Sequence, residues 1–204
     1  MVPSIEALWD QAEDAVKQAD YVALVAALRT LADRGVWQLC ARIGELYESG
    51  GHGLKRDPEE AIRWYRRAVF EGDDAGAHLG LGRGYFNGTG VEKNPRQAIF
   101  HFEKAYRAGR PEAALYLGLI YSGAMGDEAN LNKAKEFLVT AAEAGFPAAY
   151  PQLARIARSE RRYLDAMSMT AKGWHLAFRI ARHDQDDPRL LGLHQCLRDR
   201  ADPK

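Results

Sequence analysis

Three stretches of this 204-residue chain can be laid on one another with the same residue types at the same places. They run from Ile43-Gly44 to Gly72, from Leu81-Gly82 to Gly109, and from Leu117-Gly118 to Gly145. Each opens on an aliphatic residue followed by Gly and has Tyr three residues after that Gly (Tyr47, Tyr85, Tyr121). Each then crosses a Gly-containing loop to Ala (Ala61, Ala98, Ala134) and closes on a Gly 11 residues further on. A period of 36 to 38 residues is that of stacked helical hairpins, in which each unit buries its apolar face only against its neighbours. An array of this kind is a surface for binding, so the question becomes which partner rather than which reaction.

Helix signals agree with the repeat. Asp57-Pro58-Glu59-Glu60 and Asn94-Pro95-Arg96-Gln97 place Asp or Asn at an N-cap and Pro at the first helical position, where its missing N–H costs nothing. Glu60 and Gln97 are in position to return a hydrogen bond to the cap backbone. The third copy keeps the cap, Asn130, but has Leu131 and Lys133 in place of the Pro and the capping-box partner, so its second helix is expected to start less sharply. Ala61, Trp64, Tyr65 and Ala68 recur as Ala98, His101, Phe102 and Ala105, and as Ala134, Phe137, Leu138 and Ala141; this is one apolar helix stripe. Gly72, Gly109 and Gly145 follow the stripe and are expected to end each helix in the left-handed conformation. Leu54 and Val91 read as apolar plugs that tie the loops back onto the hairpins.

Outside the three copies the pattern weakens. Pro3-Ser4 starts a helix to about Gln18, and Asp20 to Arg34 gives a second, closed by Gly35. After Gly145, a first helix containing Ala149, Leu153 and Ala154 is followed by a run from Tyr163 to about Ala181, and Asp187-Pro188 caps a final helix from Arg189 to about Arg198. The expectation is an all-α solenoid of about five helical hairpins with a C-terminal capping helix, forming a single domain over 1–204. It divides into a capping hairpin at 1–35, clear repeats at 36–73, 74–110 and 111–146, a degenerate hairpin at 147–184, and a C-terminal helix and tail at 185–204.

These residues resemble the Sel-like repeat family, relatives of the tetratricopeptide solenoids. The family's unit has Ala, then Leu-Gly and Tyr on its first helix, a Gly-rich loop ending Gly-Val-x-Lys-Asp, then Ala-x2-Trp-Tyr-x2-Ala and Gly. Ala77, Leu81, Gly82, Tyr85, Gly88, Gly90, Val91, Lys93 and Asn94 follow that pattern, as do Ala61, Trp64, Tyr65, Ala68 and Gly72. The match is good over 39–145 and looser elsewhere. The resemblance implies a protein-binding adaptor without catalytic activity.

Composition narrows the partner. The 28 basic and 28 acidic side chains cancel, which argues against nucleic acid or an anionic membrane as the bulk partner, since those interfaces are built on Lys and Arg. No stretch approaches the length of apolar residues that spans a bilayer. The N-terminus carries Glu6, Asp10, Glu13 and Asp14 and no basic segment, unlike a signal peptide. Cys40 and Cys196 lie at opposite ends of the array, too far apart in a linear solenoid for a disulfide, so reduced thiols and a cytoplasmic address are expected. Cys40 falls on an apolar helix face, as a core residue does.

No arrangement of residues points to catalysis, a cofactor or a metal. Gly80-Leu81-Gly82-Arg83-Gly84 lies inside a helix whose glycines the repeat explains, and no phosphate-binding Lys-Ser/Thr follows. The six His are scattered, with no His-Glu-x-x-His or Cys-x-x-Cys spacing; His101 takes the slot of Trp64 and Phe137, where a packed ring is expected. Arg155, Arg158, Arg161 and Arg162 form the one marked basic cluster, read as a solvated face, an acidic-partner patch or an RNA contact. On the first helices, a helical wheel that buries Ala77, Leu81, Gly82 and Tyr85 turns Leu79, Gly80 and Arg83 the opposite way. The equivalent positions are Ala41, Arg42 and Glu45 in the first copy and Leu115, Tyr116 and Leu119 in the third. Leu115, Tyr116 and Leu119 are either a partner anchor, with Arg42, Glu45, Arg83 and Arg155 as a charged rim, or residues packed on neighbouring first helices. The expected function is a non-enzymatic adaptor or scaffold holding a protein client in a concave groove. A cytosolic immunity protein that blocks a cognate toxin is the alternative, and an RNA-binding repeat protein comes behind both.

Overall fold

Each repeat folds as two antiparallel helices because a polar cap starts each second helix and a glycine of the first lets the second approach. The structure is a computed structural model that describes residues 3–126, 129–184 and 187–190. Among them are ten α-helices, and the described residues are otherwise loops, two short 3-10 turns and one isolated bridge between Gly51 and Leu54. The chain is an all-α array of helical hairpins, and it divides into two compact units, 1–108 and 109–204.

In the first unit α1 (Ile5–Lys17) pairs with α2 (Tyr21–Asp33), α3 (Cys40–Ser49) with α4 (Pro58–Gly72), and α5 (Ala75–Asn87) with α6 (Pro95–Arg107). Its core runs through Leu28, Cys40, Ile43, Leu46, Trp64, Tyr65 and Leu81, with Leu54 and Val91 packed against it as the loop plugs. Cys40 is fully buried, as expected, and burial raises its thiol pKa. In the second unit α7 (Glu112–Tyr121) pairs with α8 (Leu131–Glu143), and α9 (Ala149–Ser159) with α10 (Tyr163–His183); α8 also packs on α9. The predicted final helix shows only its beginning, a 3-10 turn at Pro188–Leu190; the rest of it, the tail and Cys196 lie outside the described residues.

The same glycine contact recurs in all three repeats. A Cβ on Gly44 would sit 2.6 Å from the Tyr65 ring, one on Gly82 2.6 Å from Phe102, and one on Gly118 2.6 Å from Leu138. Only Gly lets the second helix's large residue lie this close to the first helix's backbone.

Three local expectations are corrected. The caps form, with Asp57 accepting from Glu60 N, Asn94 from Gln97 N and Asn130 from Lys133 N, but no reciprocal capping-box bond is made. The cap N–H groups donate instead to first-helix tyrosine carbonyls: Asp57 to Tyr47 (2.9 Å), Asn94 to Tyr85 (3.0 Å) and Asn130 to Tyr121 (2.7 Å). Those carbonyls are the orphans of a helix C-terminus, so each loop closes by joining one helix's unsatisfied acceptor to the next helix's donor. The third copy's second helix starts as sharply as the others, because this pair of bonds needs neither Pro nor Glu. Gly109 and Gly145 end their helices left-handed (φ 85° and 89°), whereas after α4 the left-handed residue is Asp73 (φ 48°). Gly72 stays in the helix, and the Trp37 ring fills the space that its Cβ would take.

Candidate functional site

The first helices fall between two second helices within the first unit, and this decides which of their residues are free to meet a partner. Gly82 of α5 faces Phe102 of α6, its own hairpin mate, while Gly80 faces Tyr65 of α4 from the preceding repeat, a Cβ there lying 2.5 Å from the ring. Leu79 and Gly80 are accordingly buried. This corrects the helical-wheel expectation that both point away from the packed side: α5 has two packed sides, not one.

Arg83, the third residue of that set, is half-buried and turned to α3. Its Nε and Nη2 donate to the two carboxylate oxygens of Glu48 at 3.2 and 2.7 Å. Glu48 Oε2 also accepts from the Tyr65 hydroxyl at 2.7 Å. Arg83 therefore joins α5 to α3 and α4 as well as bordering the surface. Arg42 and Glu45 are exposed on α3 and pair with each other at 3.0 Å; an exposed pair of this kind contributes little stability.

In the second unit, Leu115 is buried, 7% exposed, whereas Tyr116 and Leu119 on the same helix are half-buried. Of the three, Tyr116 and Leu119 reach the surface of α7 and Leu115 does not. Arg155 of α9 is exposed and donates to Gln152 Oε1 (3.2 Å) and to the Ser122 carbonyl (3.4 Å). Of its basic cluster, Arg158 and Arg161 are exposed, and Arg162 pairs with Asp165 (2.7 Å) and Glu160 (3.3 Å).

Sequence reasoning missed a polar chain in the second repeat that runs from two buried histidines to the surface. His78 and His101 meet at 2.8 Å through their Nδ1 atoms, His78 Nε2 lies 2.7 Å from Asp73 Oδ1, and Lys104 donates to Asp73 Oδ2 at 3.3 Å. A neutral His78 that donates from Nε2 to the carboxylate must accept at Nδ1, so His101 carries its proton on Nδ1. Burial foremost, with the neighbouring His78 ring and the Arg66 charge, pushes the His101 pKa down to about 4. The signal was present: a histidine in an aromatic slot needs a polar partner when buried, and His101 does stack on Tyr85 as Phe137 stacks on Tyr121. Among the described residues no group of three or more His, Cys, Asp or Glu is placed to hold a metal ion, and no helix is long and apolar enough to cross a membrane.

Comparison with known proteins agrees with this geometry. The Sel1 repeat model matches residues 38–72, 75–109 and 111–146. An uncharacterised protein of Neisseria meningitidis serogroup B is 32% identical over 136 residues, 67% of this chain and 28% of that protein. Chitin synthase regulatory factor 3 of Schizosaccharomyces pombe is 33% identical over 122 residues, 59% of this chain and 13% of that protein. The chain thus spans less than a third of either curated relative. Among solved structures, a protective antigen of uropathogenic Escherichia coli displaying an SLR fold superimposes with a TM-score of 0.70 at 21% identity, covering 91% of this chain and 43% of the other. A Sel1 repeat protein from Oxalobacter formigenes gives 0.62 at 24% identity, covering 76% and 64%. Both likenesses are of fold.

Proposed function

Because the chain belongs to the Sel1 repeat family, whose members generally act as protein-interaction scaffolds, we propose that it is a non-enzymatic adaptor that holds a protein partner on the outer faces of its first helices. One observation carries this reading. The residues that hold the hairpins together repeat from copy to copy (Gly44, Gly82, Gly118 against Tyr65, Phe102, Leu138), while one register of the first helices varies in chemistry as exposed Glu45 and half-buried Arg83 and Leu119. A fixed frame with a variable register is what a recognition surface built on repeats requires. Glu45 with Arg42 offers charge, and Tyr116 with Leu119 offers an aromatic and an aliphatic group. Charged positions of this kind act on association rate and specificity, apolar ones on residence time.

The test is photo-crosslinking with the full chain. A photoreactive amino acid at Glu45, and separately one at Leu119, is expected to trap a protein in native lysate, whereas one at Arg63 on the second helix α4 is expected to trap none. Mass spectrometry of the trapped species names the client and tells an adaptor's partner from a toxin. Crosslinks from Arg63 with none from Glu45 or Leu119 would overturn the assignment to the first helices.

A further inference from the structure

Helix α10 carries a second surface that the repeat does not use. Leu164, Met167, Trp174 and Phe178 are 83%, 71%, 47% and 74% exposed, and with Ala171 between them they follow the 3-4-3-4 spacing by which one helix presents a seam to another. They are not the helix's own packing face. Ala166, Gly173, Ala177 and Ile180 are the buried residues, and α9 approaches at Gly173, where a Cβ would lie 2.8 Å from Tyr150.

The charge around this seam has one sign. Between Ala166 and His183 the helix has Lys172, Arg179 and Arg182 and no carboxylate; Asp165, just before, is held by Arg162 at 2.7 Å. Lys172, His175 and Arg179 wall a shallow open groove with Tyr150, Ala171 and Leu176 along one edge of the seam. Asp165 and Asp187 are paired elsewhere, with Arg162 and Arg189.

We infer that α10 docks an acidic amphipathic helix of a partner protein, whose apolar positions sit on Leu164, Met167, Trp174 and Phe178 and whose carboxylates reach the Lys172–His175–Arg179 groove. Charge complementarity selects this occupant. A second copy of the chain would bring Lys172, Arg179 and Arg182 against the same cations. Residues 191–204 carry three Arg or Lys and two Asp, so that segment does not complement the groove's charge. An anionic bilayer is met by cations on both sides of an apolar stripe, whereas here the edge away from the groove holds Tyr163 and Thr170. The inference rests on the protein-binding reading but concerns a surface separate from the first helices.

Two synthetic four-heptad peptides test it, with Leu at the seam positions and either Glu or Lys at the flanking ones, titrated against the full chain by fluorescence anisotropy. The Glu peptide is expected to bind at least about tenfold more tightly than the Lys peptide, a difference of about 1.4 kcal/mol. Leu164→Ser with Met167→Ser and Phe178→Ser is expected to weaken it by about tenfold or more, with the melting temperature held. Lys172→Glu with Arg179→Glu is expected to invert the preference without touching the apolar seam. Equal binding of both peptides, or of neither, overturns the inference. So does a dimer of the full chain that the triple variant makes monomeric, uptake of the chain by phosphatidylserine vesicles, or a tenfold gain in Glu-peptide affinity on Leu193→Ser with Leu197→Ser. None of these variants alters α3, α5 or α7, so failure here leaves the first-helix reading standing, and failure of the crosslinking leaves this one.

Discussion

The hydroxyl of Tyr65 donates a 2.7 Å hydrogen bond to Oε2 of Glu48, the carboxylate that Arg83 also grips. The ring beneath that hydroxyl lies between Gly44 of α3 and Gly80 of α5. One aromatic residue of α4 is therefore held by two first helices, and its hydroxyl is satisfied by Glu48 of α3, which Arg83 of α5 holds in turn. Burial, reinforced by the Glu48 charge, raises the phenol's pKa, so it stays neutral and remains a donor where an exposed tyrosine would ionise.

Removing only the hydroxyl separates the two halves of this contact. Tyr65→Phe is expected to cost about 1 kcal/mol in urea denaturation, and Tyr65→Ala about 3–5 kcal/mol through the cavity it leaves. A Tyr65→Ala chain as stable as wild type would show that this ring does not hold α3 to α5.

Glycines separate by what surrounds them. Gly82→Val drives its side chain into the Phe102 ring and is expected to cost about 1–3 kcal/mol or more. Gly109 has a positive φ of 85° but nothing within 4 Å of a Cβ, so Gly109→Ala is expected to cost only the backbone term, about 1 kcal/mol. Thermal melts of the two variants in parallel check the order.

The buried histidine pair gives a pH dependence of defined sign. His101 titrates at about 4 in the folded chain against about 6.5 when unfolded, so the unfolded state takes up the proton first. Its contribution is fully present above about pH 6.5 and is lost as the pH falls through 4, on the order of 3 kcal/mol. Urea midpoints measured across that range should fall for wild type and fall less for His101→Phe, which places there the residue type found at Phe137. Equal slopes would contradict the assignment.

The repeat was legible because its signals are local: a Gly three residues before Tyr, and an Asn or Asp cap before Ala. Those intervals place the caps at Asp57, Asn94 and Asn130, where the structure has them, whereas after α4 the left-handed residue is Asp73 and not Gly72. The surface was less legible because a wheel drawn for one helix knows only one neighbour. Leu79 and Gly80 looked outward until α4 was seen behind α5, and Leu115 proved buried while Tyr116 and Leu119 did not. Glu48 went unnoticed for the same reason. Its partners Tyr65 and Arg83 lie 17 and 35 residues away in sequence, and no pattern within one helix links them. The exposed α10 stripe was visible as periodicity, but periodicity alone does not say which side is covered.

The central claim is that the first helices bind a protein partner, and the direct measurement is calorimetric titration of the crosslinked client with wild type and with Tyr116→Ser plus Leu119→Ser. Both residues are half-buried, so the double variant is expected to melt within a few degrees of wild type while Leu115→Ser, at the buried position, melts well below it. The double variant is expected to bind about thirtyfold more weakly, the loss of about 2 kcal/mol that removing an anchor brings. A folded double variant that binds the client with wild-type affinity would contradict the claim.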